Sequence, residues 1–236
     1  MRFDAPLMSF GGVMVDQHGP TDRFPGLAML TGLLGNALGY RHGDFDRLQA
    51  LQGRIEFAAR WDLEPKHLVD YHTVDLGQEK MRHPGWTTRR VAEHRAGGAG
   101  AKFGTHQRYR HYWANGVMTL TLTLEGDGPP TLDDLESALH RPARPLFLGR
   151  KSCLPAAPVL LERVQATNLL DALCRCPLHP RAVQNGQESL AACWPAGIPG
   201  GEQARIVSRY DRREWRNQIH AGRRDHHEGR IGRPAT

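Results

Sequence analysis

Along residues 117–124, VMTLTLTL, apolar and hydroxyl side chains alternate, with Met118, Leu120, Leu122 and Leu124 on one side and threonines on the other. A period of two is that of a β-strand with one face on a core. Between Pro25 and Gly39 the step changes: Leu27, Leu30, Leu34 and Leu38 recur every three or four residues, which predicts an amphipathic helix. Gly32 and Gly35 within it predict close packing on a sheet. Thr131 with Asp134 forms a capping-box pattern at the start of TLDDLESALH, and Pro142 ends that helix. Further strands are predicted over 1–10, which runs into Gly11-Gly12 and is short, as if the chain began partway along it, and over 53–61 and 146–148. Residues 68–76, LVDYHTVDL, add an extended piece, and 44–52 a short helix. The order is β-α-β-β-α-β, an α+β arrangement with the split βαβ order of the ferredoxin-like fold. RNA-binding domains built on that RRM-like order present the sheet and its loops to single strands. Past residue 155 the chain is less regular and rich in Pro and Gly, with one helix predicted near 168–174, as expected of a smaller second lobe.

Charge sharpens this picture. The 236 residues carry 31 Lys and Arg against 25 Asp and Glu, a net +6 that favours polyanionic partners. Of those cations 27 are Arg, since Lys stands only at 66, 80, 102 and 151; the planar guanidinium suits phosphate. Residues 80–112 hold eight Lys or Arg, four His and one acid, interleaved with Trp86, Phe103, Tyr109 and Tyr112, and with Gly97, Gly98, Gly100 and Gly104 at the centre. Such a segment has no core of its own. It is expected to project from the sheet as a long hairpin, with cations for phosphate and aromatics for bases. A second basic stretch, 205–236, has nine Arg against four acids, with Tyr210, Trp215 and His226-His227 among them.

Other chemistries are less well represented. Cys153, Cys174, Cys176 and Cys193 are too few for a disulfide framework in a chain of this size, and free thiols are expected. Cys174, Cys176, His179 and Cys193 could in principle ligate zinc, but Cys-x-Cys is not a strong knuckle spacing, so no metal site and no cofactor are assigned. No apolar run reaches the length of a membrane span, and a cytoplasmic location is expected. The turn at 149–152, Gly-Arg-Lys-Ser, follows a short apolar strand; it lacks the upstream glycine of a P-loop, and Pro155 blocks the helix such a loop requires.

Five stretches together resemble one family: APLMSFGG at 5–12, HGPTDRFPGLAMLTGLLGNALGY at 18–40, DYHTV at 70–74, PLFLGRKSC at 145–153 and DRREWRNQIHAGRR at 211–224. They are similar to the CasD subunits of type I-E CRISPR Cascade, the fifth Cas protein family of the RAMP superfamily. The resemblance implies a ferredoxin-like core over 1–154, with 76–114 inserted as a β-hairpin thumb, and a smaller β-rich lobe with a basic tail over 155–236. It implies a non-catalytic RNA-binding subunit that caps the repeat-derived 5′ handle of the CRISPR RNA, between the backbone subunit CasC and the large subunit CasA. Target DNA would be met only through the assembled complex, and no membrane is involved. Arg150, Lys151 and Ser152 would then converge with backbone N–H groups on handle phosphate where Gly149 permits the turn. Arg23, ahead of the first helix, would meet phosphate near a helix N-terminus. Ser9 and Phe24 fall in the matched stretches; Tyr71 and His72 would stack on or hydrogen-bond bases; Trp86, Lys102, Arg108 and Tyr109 are the contacts expected of the thumb.

Two other readings compete. In type I-C systems the corresponding subunit resembles this fold and cleaves precursor RNA without metal. Tyr40, His42, Lys102, Tyr109 and His111 are groups able to do such acid–base work. A free-standing single-strand binder is the third.

Overall fold

The computed structural model describes residues 1–12, 14, 16–75, 85–86, 92–93, 105–184, 186 and 188–234. In chain order the elements begin with β1 (Arg2–Asp4), β2 (Leu7–Met8), β3 (His18–Gly19), α1 (Leu27–Ala37), α2 (Phe45–Arg54), β4 (Ile55–Leu63) and β5 (Lys66–Asp75). They continue with β6 (Gly85–Trp86), β7 (Ala92–Glu93), β8 (Thr105–Ala114), β9 (Val117–Leu124), α3 (Leu132–His140), α4 (Leu169–Arg175) and α5 (Pro180–Val183). The last strands are β10 (Ser189–Pro195), β11 (Glu202–Arg209), β12 (Arg213–Glu214), β13 (Ile219–His220) and β14 (Arg224–Gly232). The architecture is mixed α+β with chiefly antiparallel sheets.

Six strands form the main sheet in the order β1-β9-β4-β10-β14-β11, every pair antiparallel. The alternation that marks β9 in the sequence sorts its two faces. Phe57, Ala59 and Trp61 of β4 lie opposite Leu122, Leu120 and Met118 and pack beneath α1, α2 and α3 in one buried cluster. The other face carries Ala58, Leu190, Ala192, Trp194 and Ile231 under Leu169, Leu170 and Leu173 of α4. Between these two layers β4 is buried on both sides, and its second face includes the fully buried Arg60 and Asp62.

That buried pair is completely engaged. Arg60 Nε donates to Asp62 Oδ1 at 2.7 Å, while its Nη groups donate to the carbonyls of Leu173, Cys176 (2.6 Å) and Pro177 (3.2 Å). These carbonyls lie at and just past the C-terminus of α4, where helix carbonyls lack partners of their own. Asp62 Oδ2 in turn accepts from Thr119 Oγ1 at 2.8 Å and from the His179 amide at 3.0 Å. The threonine face of β9 therefore serves a polar seam within the second layer. Thr121 follows the same rule, donating to the Leu169 carbonyl at 2.8 Å.

Helix α1 begins at Gly26, which has no side chain to cap it. Asp211, 184 residues away, does so instead: its Oδ2 accepts from the Leu27 amide at 3.0 Å, and its backbone carbonyl from the Ala28 amide at 3.0 Å. Arg224 closes the arrangement on Asp211 at 2.6 Å and lies 4.7 Å over the Phe57 ring. At α3 the expected capping box forms: the Asp134 amide donates to Thr131 Oγ1 at 3.1 Å, and the Thr131 amide to Asp134 Oδ2 at 2.7 Å.

Several expectations change. Strand 1–10 is broken at Pro6 into β1 and β2, which join different sheets, because the ring removes the amide that an unbroken ladder would need. Residues 146–148 form no strand. The outer edge of β1 is bonded instead by 156–159, with the Arg2 amide donating to the Val159 carbonyl and the Ala156 amide to the Asp4 carbonyl, both at 2.8 Å. Gly35 faces a helix, not a sheet: a β-carbon there would stand 2.7 Å from Leu48 of α2. The irregular region past 155 supplies β10, β14 and β11 to the main sheet, so one sheet runs across the expected boundary at 154.

The second sheet is built on β8. It pairs with β5 through ten rungs, from Lys66 opposite Ala114 to Asp75 opposite Thr105. It also pairs with β2 near its end and, in parallel, with β3 at Tyr109 and Arg110. β5 and β8 thus form a regular antiparallel ladder and β6 pairs with β7, while 76–84, 87–91 and 94–104 of the expected thumb lie outside the described residues.

Asp211→Ala should lower unfolding free energy by about 2 to 4 kcal/mol, since it uncaps α1 and leaves Arg224 without its carboxylate. Urea denaturation measures this, and a change below about 0.5 kcal/mol would contradict the capping role. A hydrogen bond from His226, with Arg209 beside it, holds the Glu228 carboxyl down at about 2 against its ordinary 4.5. A folded-state value below the unfolded one contributes stability that is complete above the ordinary value and is lost as pH falls toward the folded one. Glu228→Gln should therefore lose roughly 1 to 2 kcal/mol less than wild type between about pH 5 and pH 2.

Candidate nucleic-acid interface

The turn after Leu148 is closed by the Leu148 amide donating to the Cys153 carbonyl and the Cys153 amide to the Arg150 carbonyl, both at 2.8 Å. Gly149 has φ +101°, and a β-carbon there would lie 1.6 Å from the Ser9 carbonyl oxygen. Only glycine lets the turn press onto the strand end at Ser9, whose amide donates to the Leu148 carbonyl at 3.1 Å. This approach puts Arg150 and Lys151 on the wall of a groove of about 1110 Å³. Its other walls come from Phe10–Gly12, from the first turns of α1, and from the segment between Val207 and His220.

The groove mixes both signs of charge, but most of its acids are committed. Asp211 is held by Arg224 and by the α1 amides, and Glu228 by His226 and Arg209. Burial pushes the Asp22 carboxyl upward, with Arg209 opposing. Arg209 itself donates to Glu228 at 2.8 Å and to the Phe24 carbonyl at 2.9 Å. Lys151 is exposed and makes no ion pair with the described residues. Trp215, buried beside the groove, donates its Nε1 to Gln52 Oε1 at 3.2 Å.

A second feature runs along the hairpin stem. Tyr71 and Tyr109 face each other across β5 and β8 with ring centroids 5.1 Å apart, and the His18 ring stacks on Tyr109 at 4.8 Å and 10°. His67 Nε2 and His111 Nδ1 share a hydrogen bond at 3.0 Å, and the His67 ring lies 5.4 Å from Trp113. Burial, then the neighbouring rings of His67 and His18, then Arg150 hold the His111 imidazole below its ordinary value. Tyr71 is 51% exposed, so one face of this aromatic row is open to a stacking partner.

The expected contact residues divide by environment. Lys151 and Ser152 are exposed at the turn, and Tyr71 and Tyr109 lie together on the stem. His72 is drawn to Asp70 at 2.5 Å, and Arg108 donates to the Asp16 carbonyl at 3.1 Å. Ser9 is buried, its hydroxyl donating to the His111 carbonyl at 3.2 Å, and Phe24 is core. Neither side chain presents itself to a ligand. Arg23 Nη2 donates to both carboxylate oxygens of Glu64 at 2.9 Å, and the α1 N-terminus Arg23 was expected to serve is already filled by the Asp211 carboxylate. Lys102 and the side chain of Trp86 lie outside the described residues.

The acid–base group does not gather among the described residues. Tyr40 packs under Arg47, 3.9 Å from the ring centroid, whereas Tyr109 and His111 lie on β8; no hydrogen bond or ring contact joins the two sets, and His42 lines the groove. The thiols do not converge either. Cys193 packs in the cluster beneath α1–α3, its thiol pushed up to about 12 by burial, and Cys174 packs against the cluster on the opposite face of the sheet.

Sequence reading missed His18 and His67 as partners of the aromatic row. It also missed Arg209 and Trp215 as walls of the groove, although the Arg-rich composition around the latter pair was a usable signal.

The family model described as CRISPR-associated protein (Cas_Cas5) matches residues 1–227. CRISPR system Cascade subunit CasD of Escherichia coli (strain K12) is 31% identical over 181 residues, covering 73% of this chain and 74% of that protein. A solved chain of a CRISPR RNA-guided surveillance complex aligns over 98% of this chain and 88% of its own, with a TM-score of 0.66 at 24% identity. A solved Cas protein aligns over 99% and 93%, with a TM-score of 0.60 at 22% identity. Matched over nearly its whole length, the chain belongs to the CRISPR-associated protein (Cas_Cas5) family.

Proposed function

We propose that this chain is the subunit of a CRISPR RNA-guided surveillance complex that holds the repeat-derived 5′ handle of the CRISPR RNA, between a CasC-type backbone subunit and a CasA-type large subunit, without cutting the RNA itself. One observation carries the reading. Four of the stretches that resemble CasD, around Ser9–Gly12, Asp22–Asn36, Phe147–Lys151 and Asp211–His220, are far apart in sequence yet line the same groove. Its acids are largely neutralised internally, while Lys151 is left for an anion. The open face of Tyr71 beside Tyr109 supplies stacking, the second ingredient of single-strand recognition.

A ferredoxin-like core is supported by the chain order β1, α1, β4, β9, α3, with the 156–159 segment bonded along β1 where a fourth core strand would run. The role of target DNA follows from assembly alone, and a cytoplasmic location fits such a complex. No helix among the described residues is long and apolar enough to cross a membrane.

Handle RNA binding should fall steeply with salt, because each phosphate contact releases counterions. Lys151→Ala should weaken binding for every sequence tested and flatten the log–log salt slope by about 0.7, the contribution of one phosphate on a single strand. Fluorescence anisotropy across a salt series reads both; an unchanged slope removes Lys151 from the interface. Co-expression with the neighbouring genes and a CRISPR array, purification through this chain and sequencing of the RNA 5′ ends tests the non-catalytic role. Discrete RNAs with one repeat-derived 5′ end should persist when Tyr40, His42, Lys102, Tyr109 and His111 are replaced in turn. Accumulation of unprocessed precursor in any of these variants would make the chain the nuclease.

A further inference from the structure

We infer that Arg150 is a positioning residue rather than a phosphate ligand: it locks the hairpin stem to the groove wall, leaving the anion to its neighbour Lys151. The inference deepens the RNA-binding reading of the groove and rests on it for the role of Lys151. By charge alone the two cations of the Gly-Arg-Lys-Ser turn are equivalent. Their surroundings separate them.

Two arms of the Arg150 guanidinium are held by protein. Nη2 donates to the Gly19 carbonyl at 2.8 Å and Nη1 to the His111 carbonyl at 3.2 Å, and the group lies 4.9 Å from the centroid of the Tyr112 ring. Gly19 belongs to β3 and His111 to β8, so one planar fork bridges two strands. The approach is close: a β-carbon at residue 19 would stand 2.7 Å from Nη2 and would displace the guanidinium from this position. The His111 carbonyl also accepts from the Ser9 hydroxyl at 3.2 Å, and the Tyr109 amide donates to the Gln17 carbonyl at 2.9 Å. The turn, the strand end at Ser9, β3 and the stem strand β8 therefore meet at this one guanidinium.

Hydrogen bonds from a charged donor to half-buried carbonyls are stronger than neutral ones, so breaking them is costly. A phosphate that drew Nη1 and Nη2 off these carbonyls would have to replace both bonds, which makes Arg150 the costlier of the two cations to redirect. Lys151 carries no such commitment among the described residues. The stem that bears Tyr71 and Tyr109 is thereby held in register with the groove wall that bears Lys151, so stacking and charge reach one strand of RNA at a fixed separation.

Arg150→Lys separates the two roles. A lysine ammonium retains a point charge for phosphate but reproduces neither the two-armed fork nor the stacking on Tyr112. In the full-length chain, amide hydrogen exchange should quicken about tenfold at residues 17–19 and 109–112 in Arg150→Lys, the loss expected of a net hydrogen-bond contribution near the top of its usual range. Affinity for single-stranded RNA carrying the repeat-derived handle should fall while the salt slope stays at its wild-type value. Lys151→Ala should do the reverse, flattening the slope with exchange unchanged. Wild-type exchange and affinity in Arg150→Lys would overturn the inference, as would a flattened slope with unchanged exchange in Arg150→Ala. Should the wild-type chain bind neither handle RNA nor a scrambled control, the reading of the groove fails; quicker exchange in Arg150→Lys would still support the lock, and unchanged exchange would overturn it.

Discussion

The buried Arg60–Asp62 pair is the constraint on which the rest of the molecule hangs. Removing two charges from water costs several kcal/mol per ion unless every arm is satisfied. Here the arms are satisfied only by bringing distant segments together: Leu173, Cys176 and Pro177 on one side, Thr119 and the His179 amide on the other. The end of α4 is held to the centre of the sheet as a consequence. That docking covers the second face of β4, which allows β10 to pair with β4 and lets β14 and β11 follow. A hydrophobic residue at 60 could fill the volume but could not terminate a helix.

Asp211 repeats this logic on the opposite face. It caps α1 from the far end of the chain, and by doing so fixes the segment that carries Trp215 and Arg213 against the first turns of that helix. The groove exists because of this contact. Its walls come from the two ends and the middle of the sequence, and the long-range carboxylate Asp211 ties two of these segments together. The stretches that carry the resemblance are in this sense structural before they are chemical: Gly149 and Asp211 shape the groove, whereas Lys151 is left open to a ligand.

Charge count and charge availability are accordingly different quantities. The chain is strongly Arg-rich, yet Arg60, Arg150, Arg209 and Arg224 donate to carbonyls or carboxylates within the fold. Arginine serves this purpose well because its fork can satisfy several acceptors at once and stays charged when half-buried. A basic composition therefore overstates how much of this surface faces an anion.

The local elements were legible in the sequence. Alternation in 117–124, the three-and-four spacing in α1, and the Thr131–Asp134 box each depend on residues a few positions apart, and each formed as read. The resemblance carried by five short stretches was likewise sufficient for the family. What the sequence could not disclose was which polar groups are already taken, and this decided the site. Arg150 meets Gly19 across 131 positions, Asp211 meets Leu27 across 184, and Arg60 meets Leu173 across 113. Periodicity records burial, which is a property of one segment. The pairing of a charge is a property of two, and only the tertiary structure determines which two segments meet.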